Sequence, residues 1–368
     1  MAGPLQGVRI VEMAGIGPAP FAGMMLADNG AEVLRIERPG APADDWDPLL
    51  RSRTRLTLDL KATADVARLR ALLRTADGLI EGFRPGVMER LGLGPDVLLA
   101  DNPKLVFGRM TGWGQEGPLA PLAGHDINYI SISGALGALG RAGERPTPPI
   151  NLVGDFGGGG MLMAFGMVSA LLAVRGGAKG QVVDCAMTDG SALLMAMIWG
   201  FRGNGSWREE RGVNLLDTGA PYYDTFPTAD GHHVSIGAIE PQFYAILRDR
   251  LGIADDPALD VQDDPTLWAA QKALIADAVA LRTREELCAL LEGADACFAP
   301  VLSMTEALAH PHNVARRAFV QVNGVDQPAP APRYSATPCD QPSPAVRPDT
   351  RAWFEETSLN RPKDKNSL

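Results

Sequence analysis

The first 110 residues constrain the fold most, because short β-branched apolar runs alternate there with runs of helical spacing. Val8 to Met13 is apolar and β-branched, and the loop Gly15-Ile16-Gly17-Pro18-Ala19-Pro20 follows it. Phe21 to Asn29 reads as a short helix and Glu32 to Ile36 as a strand. Leu56 to Leu60 alternates apolar and polar residues in the manner of a strand. Ala64 to Thr75 sets Val66, Leu69, Leu72 and Leu73 at helical spacing. Gly78 to Gly82 and Lys104 to Met110 are two further strands. Strand–helix–strand alternation predicts an α/β fold with a parallel sheet covered on both faces.

Between Gly112 and Gly160 glycine and proline recur, so this stretch reads as loops. Loops held by a rigid sheet often carry chemistry. Met161 to Val174 is an apolar helix, Gln181 to Ala186 a strand, and Ser191 to Phe201, apolar on nearly all sides, a buried helix. A second unit starts at about Gly203. In it Tyr222 to Phe226 and His233 to Ile236 bracket a turn and form a hairpin. Amphipathic helices follow over Pro241 to Arg250, Leu267 to Val279, Arg284 to Leu291 and Thr305 to His310. Asp326 to Asp349 is proline-rich and extended, and the polar tail from Asn360 is expected to fray. Two domains suit 368 residues at about 150 per domain.

Lys and Arg number 34 against 44 Asp and Glu, a net charge of −10. A nucleic-acid binder needs cations to displace phosphate counterions, so this balance argues against one. Cys185, Cys288, Cys297 and Cys339 contain no C-x-x-C pair, which removes the zinc-ribbon and redox readings and favours a reducing, cytoplasmic location. No apolar leader opens the chain, no run of about 18 uninterrupted apolar residues predicts a membrane span, and the terminal Lys-Asn-Ser-Leu is not a clear peroxisomal address.

Individual residues carry the rest. The Gly15–Pro20 loop matches the start of a G-x-G-x-x-G dinucleotide fingerprint, but Pro20 stands where the third glycine belongs. Glu37 lies where an acid would hold a ribose, and Arg38, next to it, suits a ribose phosphate better. His232 and His233 sit on a turn, and His310 and His312 flank Pro311 near a helix end, where capping accounts for them. His125 sits in Ala-Gly-His-Asp-Ile-Asn-Tyr, after a glycine-rich loop and just before a helix. The field of a helix start disfavours a cation, which suits an imidazole acting as a base. Asp155 precedes Phe156 and four glycines; the bland reading is a helix cap, and the glycines would let a ligand come close. Glu240 before Pro241 reads as a helix start, and Met187, Met195 and Met197 as core or as an adaptable binding surface.

Taken together, several long motifs in order resemble the α-methylacyl-CoA racemases of the family III CoA-transferase superfamily. The resemblance spans about residues 4 to 345 and rests on Arg-Pro-Gly at Arg38, Leu58 to Lys61, and the run from Arg84 through Pro95. It continues through Thr111 to Gln115, Ala123 to Tyr129, Pro148 to Gly159, Gly180 to Asp184, Gly219 to Thr225, Ala229 to Gly231 and Gly237 to Tyr244.

The resemblance implies a Rossmann-like large CoA-binding domain over residues 1–200, with residues 325–368 returning to it, and a smaller α+β domain over 201–324. It implies an interlocked homodimer. By the same resemblance Arg38, Leu58, Asp59, Leu60, Lys61 and Arg84 would hold CoA. Gly124, Asp126, Ile127, Asn128 and Tyr129 would line the thioester region, and Met187, Met195 and Met197 would face the acyl chain. His125 and Asp155 would be the two acid/base groups, with Glu240 from the small domain, of the same or of a partner subunit, orienting His125. The implied reaction interconverts (2R)- and (2S)-2-methylacyl-CoA by proton transfer through an enolate, with no metal or redox cofactor and CoA present only as part of the substrate. Burial beside methionines and Phe156 would raise the Asp155 carboxyl, and the Asp126 backbone N–H is the candidate donor to the enolate oxygen. The rival reading is a CoA-transferase in which Asp155 attacks the thioester.

Overall fold

The computed structural model describes residues 2–42, 44 and 46–346. The described residues divide into two compact units: those within 2–133, 150–194 and 312–346 form the first, and residues 134–149 and 195–311 the second.

The first unit is built on a six-stranded parallel sheet of β1 (Arg9–Met13), β2 (Glu32–Glu37), β3 (Thr54–Thr57), β4 (Gly78–Glu81), β5 (Val106–Thr111) and β6 (Val182–Ala186). The spatial order is β3-β2-β1-β4-β5-β6. This is the order of dinucleotide-binding sheets, in which the chain reverses direction across the sheet between β1 and β4. All of β4 and β5 is buried, as a parallel sheet covered on both faces requires. Alternate side chains feed two cores. Ile10, Val33, Ile80 and Val106 pack with Leu26, Met163 and Met167 on one face. Val11, Leu34, Leu79 and Phe107 pack with Leu69, Leu72 and Leu73 on the other. The helices Pro18–Asp28 and Leu162–Arg175 supply the first layer, and Thr63–Leu73 contributes to the second.

Three expectations need correction. The strand placed at Leu56 to Leu60 lies earlier, at Thr54–Thr57, because its register with β2 runs from Leu34↔Thr54 to Glu37↔Thr57, where β2 ends. Asp155 does not cap a helix: Leu152–Met161 is a π-helical segment that continues into Leu162–Arg175. The glycines inside it face protein. A Cβ on Gly158 would lie 2.6 Å from the Ser191 nitrogen, and one on Gly160 would lie 2.6 Å from the Phe21 ring. Ser191 to Phe201 is not one buried helix. It is the end of Met187–Leu194 and the start of Ala196–Gly203, and Leu193, Leu194, Met197 and Trp199 are exposed.

Leu152–Arg175 is long and apolar enough to cross a membrane by length and composition. Met163, Ala164, Met167 and Leu171 of that span are buried in the core of this unit.

The second unit holds an antiparallel sheet of β7 (Tyr223–Pro227), β8 (His233–Gly237) and β9 (Phe298–Pro300). Its core gathers Tyr222, Phe226, Val234, Ile236, Leu247, Ile275 and Leu287. The expected hairpin and four helices are present, the helices at Pro241–Leu251, Trp268–Ala280, Arg284–Leu291 and Met304–Ala309. The first unit closes with the antiparallel pair β10 (Phe319–Val322) and β11 (Val325–Pro328). Arg51 ties it down, donating to Gln327 Oε1 at 2.9 Å and to the Pro328 carbonyl at 2.6 Å. The chain beyond 346, including the tail from Asn360, lies outside the described residues.

Candidate active site

A cleft of about 660 Å³ opens at the carboxyl ends of β1, β4 and β5, where the strand order reverses. Open parallel sheets bind ligands in this crevice because successive loops leave it in opposite directions. The loops Ala14–Gly17, Gly82–Pro85 and Thr111–Trp113 form its walls, and His125, Asn151, Asp155 and Met187 line it.

Buried ion pairs hold two of these loops. Glu12 on β1 is fully buried between Arg35 of β2 and Arg53, which lies 3.0 Å away. Arg35 also donates to the Gly15 carbonyl at 3.1 Å, fixing the first loop. Burial pushes the Glu81 carboxyl up, yet it accepts the Phe83 backbone N–H at 2.7 Å and pairs with Arg109 at 3.0 Å, fixing the second. A carboxylate so deep is tolerated because each is hydrogen-bonded and paired.

His125 stands exposed at the N-cap of the helix Asp126–Ile132, and its backbone N–H donates to Asn128 Oδ1 at 3.1 Å. Tyr129, one turn on, packs edge-to-face on Trp113 with ring centroids 4.7 Å apart and donates to the Gly124 carbonyl. Gly112 and Gly124 leave room for that ring; a Cβ on Gly112 would lie 2.0 Å from it. Asp155 is half-buried in the π-helical segment and accepts from Asn151 Nδ2 at 3.0 Å. Burial raises its carboxyl above the ordinary range, opposed by the Asn151 hydrogen bond, while the nearby Asp126 charge raises it further and His125 lowers it. A carboxyl biased toward its protonated form, facing the same cleft as an imidazole, is fitted to give and take protons.

Of the residues singled out in the sequence, Gly124, His125, Tyr129, Asp155, Arg84 and Met187 meet in this cleft. Asp126 is buried behind it, whereas Ile127 and Asn128 are exposed on the helix. Arg38 is exposed just past β2. Leu58 is a core residue at 1% exposure, so its side chain is not available to a ligand. Asp59 accepts the Lys61 backbone N–H at 3.0 Å, Lys61 itself is exposed, and Leu60 is packed against the core. Glu240, Met195 and Met197 belong to the second unit, where Glu240 is the N-cap of Pro241–Leu251 without its side chain capping that helix. Glu37 is buried and bound to Arg55 at 2.6 Å, so it is not free to hold a ribose.

Sequence reasoning missed Trp113, Phe83 and Asn151 as lining residues, and the buried ion pairs entirely. The spacing of Asn151 and Asp155, four residues apart, was a usable signal for their contact.

The sequence profile of CoA-transferase family III matches residues 5–350. The chain belongs to that family. It is 47% identical over 335 residues to the alpha-methylacyl-CoA racemase of Mus musculus, covering 91% of this chain and 87% of the relative. It is 43% identical over 363 residues to the protein of that name from Homo sapiens, covering 97% and 94%. It is also 32% identical to a succinyl-CoA–D-citramalate CoA-transferase of Chloroflexus aurantiacus, covering 96% and 94%. A CAIB/BAIF family structure from Brucella suis superposes with a TM-score of 0.82 at 24% identity over 98% of this chain and all of that one, which bears on the fold alone.

Proposed function

We propose that this chain is a racemase that interconverts (2R)- and (2S)-2-methylacyl-CoA thioesters by 1,1-proton transfer. The observation that carries the proposal is an imidazole, His125, and a carboxyl raised by burial, Asp155, lining one cleft in a family III chain 43–47% identical to two proteins named for this reaction.

The chemistry follows from the substrate. A thioester acidifies its α-carbon because the carbanion delocalises into an enolate. Inversion needs one proton carrier on each face. His125 takes the α-proton of one epimer, and protonated Asp155 returns a proton to the opposite face; the roles reverse for the other epimer. The developing enolate oxygen is assigned to the backbone N–H of Asp126. No metal or redox group is needed, because the thioester itself carries the charge. Glu240, supplied by the small domain of a second copy of the chain, is assigned to orienting His125, and Arg38 to the phosphate of CoA.

The same proposal includes a homodimer and a cytoplasmic location. Phe165 and Leu172 are 69% and 70% exposed on Leu162–Arg175, and Leu193 and Leu194 are also exposed. Apolar surface of that extent on a family III chain supports a second copy as its cover. Four unpaired cysteines support a reducing compartment.

The two-carrier assignment is tested by residual exchange in D₂O. His125→Ala and Asp155→Asn should each lose inversion by about 10²-fold or more. Each should retain some α-deuterium wash-in from one epimer, and the two variants should favour opposite epimers. The same epimer preference in both would remove the opposed-base assignment. A hydroxamate formed on Asp155 when hydroxylamine is present during turnover would make the residue a nucleophile and the enzyme a transferase.

A further inference from the structure

Asp126 has a side chain that the proposed chemistry does not use. It is 6% exposed, it follows His125 directly, and it begins the helix Asp126–Ile132. Its Oδ1 accepts the backbone N–H of Asp155 at 2.7 Å, 29 residues further along the chain. Its Oδ2 is buried with no hydrogen-bond partner among the described residues. The fit is tight, since a Cβ on Gly154 would lie 2.3 Å from Oδ1.

An acceptor for one N–H does not require a charge. An amide or hydroxyl serves as well, without the cost of burying a carboxylate that has a lone, unpaired oxygen. We propose that the Asp126 carboxylate is a positioning residue for the racemase reaction: it ties the backbone of Asp155 to the helix start that carries His125, and it sets a negative charge beside the Asp155 carboxyl.

The bond supplies geometry. His125 and Asp155 lie on separate segments, and the Asp126–Asp155 hydrogen bond is a direct link between them. Proton carriers that must reach opposite faces of one carbon tolerate little misplacement. The charge supplies the bias. Burial is the largest cause of the raised Asp155 carboxyl, and the Asp126 charge acts in the same direction. The other titratable group acting on Asp155 is His125, which opposes it; the Tyr129 phenol in the same cleft is raised by burial and by the Asp155 charge, and lowered by Arg84. Of the elements packed on the π-helical segment, Pro18–Asp28 carries only Asp28, which is paired with Arg51, and Leu162–Arg175 only Arg175, at its last residue. Met187–Leu194 carries only Asp189, which acts on Asp184 and Cys185 of β6. Asp126 is therefore the acidic group that bears on Asp155 from the neighbouring elements.

The inference rests on the racemase reading, and its test separates the two. Asp126→Asn keeps an oxygen to accept the Asp155 N–H and removes the charge. Asp126→Ala removes both. Racemisation of a 2-methylacyl-CoA is followed against pH in both directions, alongside ¹³C NMR titration of Asp155 in the free enzyme with ¹³Cγ-labelled aspartate, assigned through Asp155→Asn. In Asp126→Asn the acidic limb of kcat/KM should move to lower pH in both directions, and Asp155 should titrate at lower pH, with thermal stability held. Both directions move together because the two carriers titrate as a pair. Asp126→Ala should in addition lower kcat about tenfold or more with KM changed far less. Asp126→Asn matching the wild type in both the profile and the titration would overturn the electrostatic role. Asp126→Ala with unchanged kcat per folded enzyme would overturn the positioning role. A wild type that fails to invert the substrate would sink the racemase reading, while the NMR titration still decides whether the Asp126 charge acts on Asp155.

Discussion

Single residues in this site owe their chemistry to what the environment does to ordinary side chains. Asp155 is legible in the sequence as a chemical candidate, because an acid before four glycines is unusual. Of its partners, Asn151 is four residues away and was within reach of a spacing rule. Asp126 was not legible, because it reaches Asp155 across a closure of 29 residues that no spacing rule encodes. The raised Asp155 carboxyl has a consequence for stability with a definite sign. A carboxyl raised on folding is a group whose unfolded form ionises first, so folding loses stability as pH rises through the unfolded value of about 4 toward the folded one. Asp155→Asn removes that loss. Its melting temperature should exceed the wild type's at pH 7 and converge with it below about pH 4, while activity falls; scanning calorimetry across pH reads the difference. Arg38, exposed at the end of β2, is the test of CoA recognition. Arg38→Ala should weaken binding of a CoA thioester by about 1–3 kcal/mol, and much less for an analogue lacking the ribose phosphate. Equal losses in calorimetric titration would place Arg38 away from that phosphate.

Among the elements, the strands were readable because β4 and β5 are buried end to end and so are mostly apolar, interrupted by the buried Glu81–Arg109 pair and by Thr111. The errors have physical causes. The alternation at Leu56 to Leu60 outruns its pairing partner, since β2 ends at Glu37 and the sheet ends with it. The glycine run suggests an opening for a ligand, whereas it makes room for two helices, Pro18–Asp28 and Met187–Leu194. Gly190 of Met187–Leu194 packs so closely on Gly158 that an added Cβ would lie 1.9 Å from the Gly158 carbonyl oxygen. Backbone cannot yield as a side-chain tip can. Gly190→Ala should therefore cost about 1–3 kcal/mol in denaturant unfolding and disturb Asp155, which the same segment carries. Gly137→Ala, with nothing within 4 Å of the new atom, should stay within about 0.5 kcal/mol. Similar losses for both would mean that the segment accommodates the methyl group by shifting.

At the scale of the whole molecule, the α/β class and a separate second unit were evident from alternation and length. The apolar stretch Ser191 to Phe201 suits the interior by its composition, yet Leu193, Leu194, Met197 and Trp199 are exposed in the single chain. Composition tells that such a surface is to be covered and not by what. The dimer in the proposal supplies the cover, so Phe165→Asp combined with Leu172→Asp should yield a monomer in analytical ultracentrifugation, and an unchanged dimer would place the interface elsewhere. If two opposed proton carriers invert the α-carbon while the thioester stays closed, incubating the wild-type protein in D₂O with one epimer of a 2-methylacyl-CoA and no free carboxylic acid should give both epimers with deuterium at that carbon, read by NMR. Retention of the α-hydrogen, or inversion only when an acceptor acid is supplied, would contradict this mechanism.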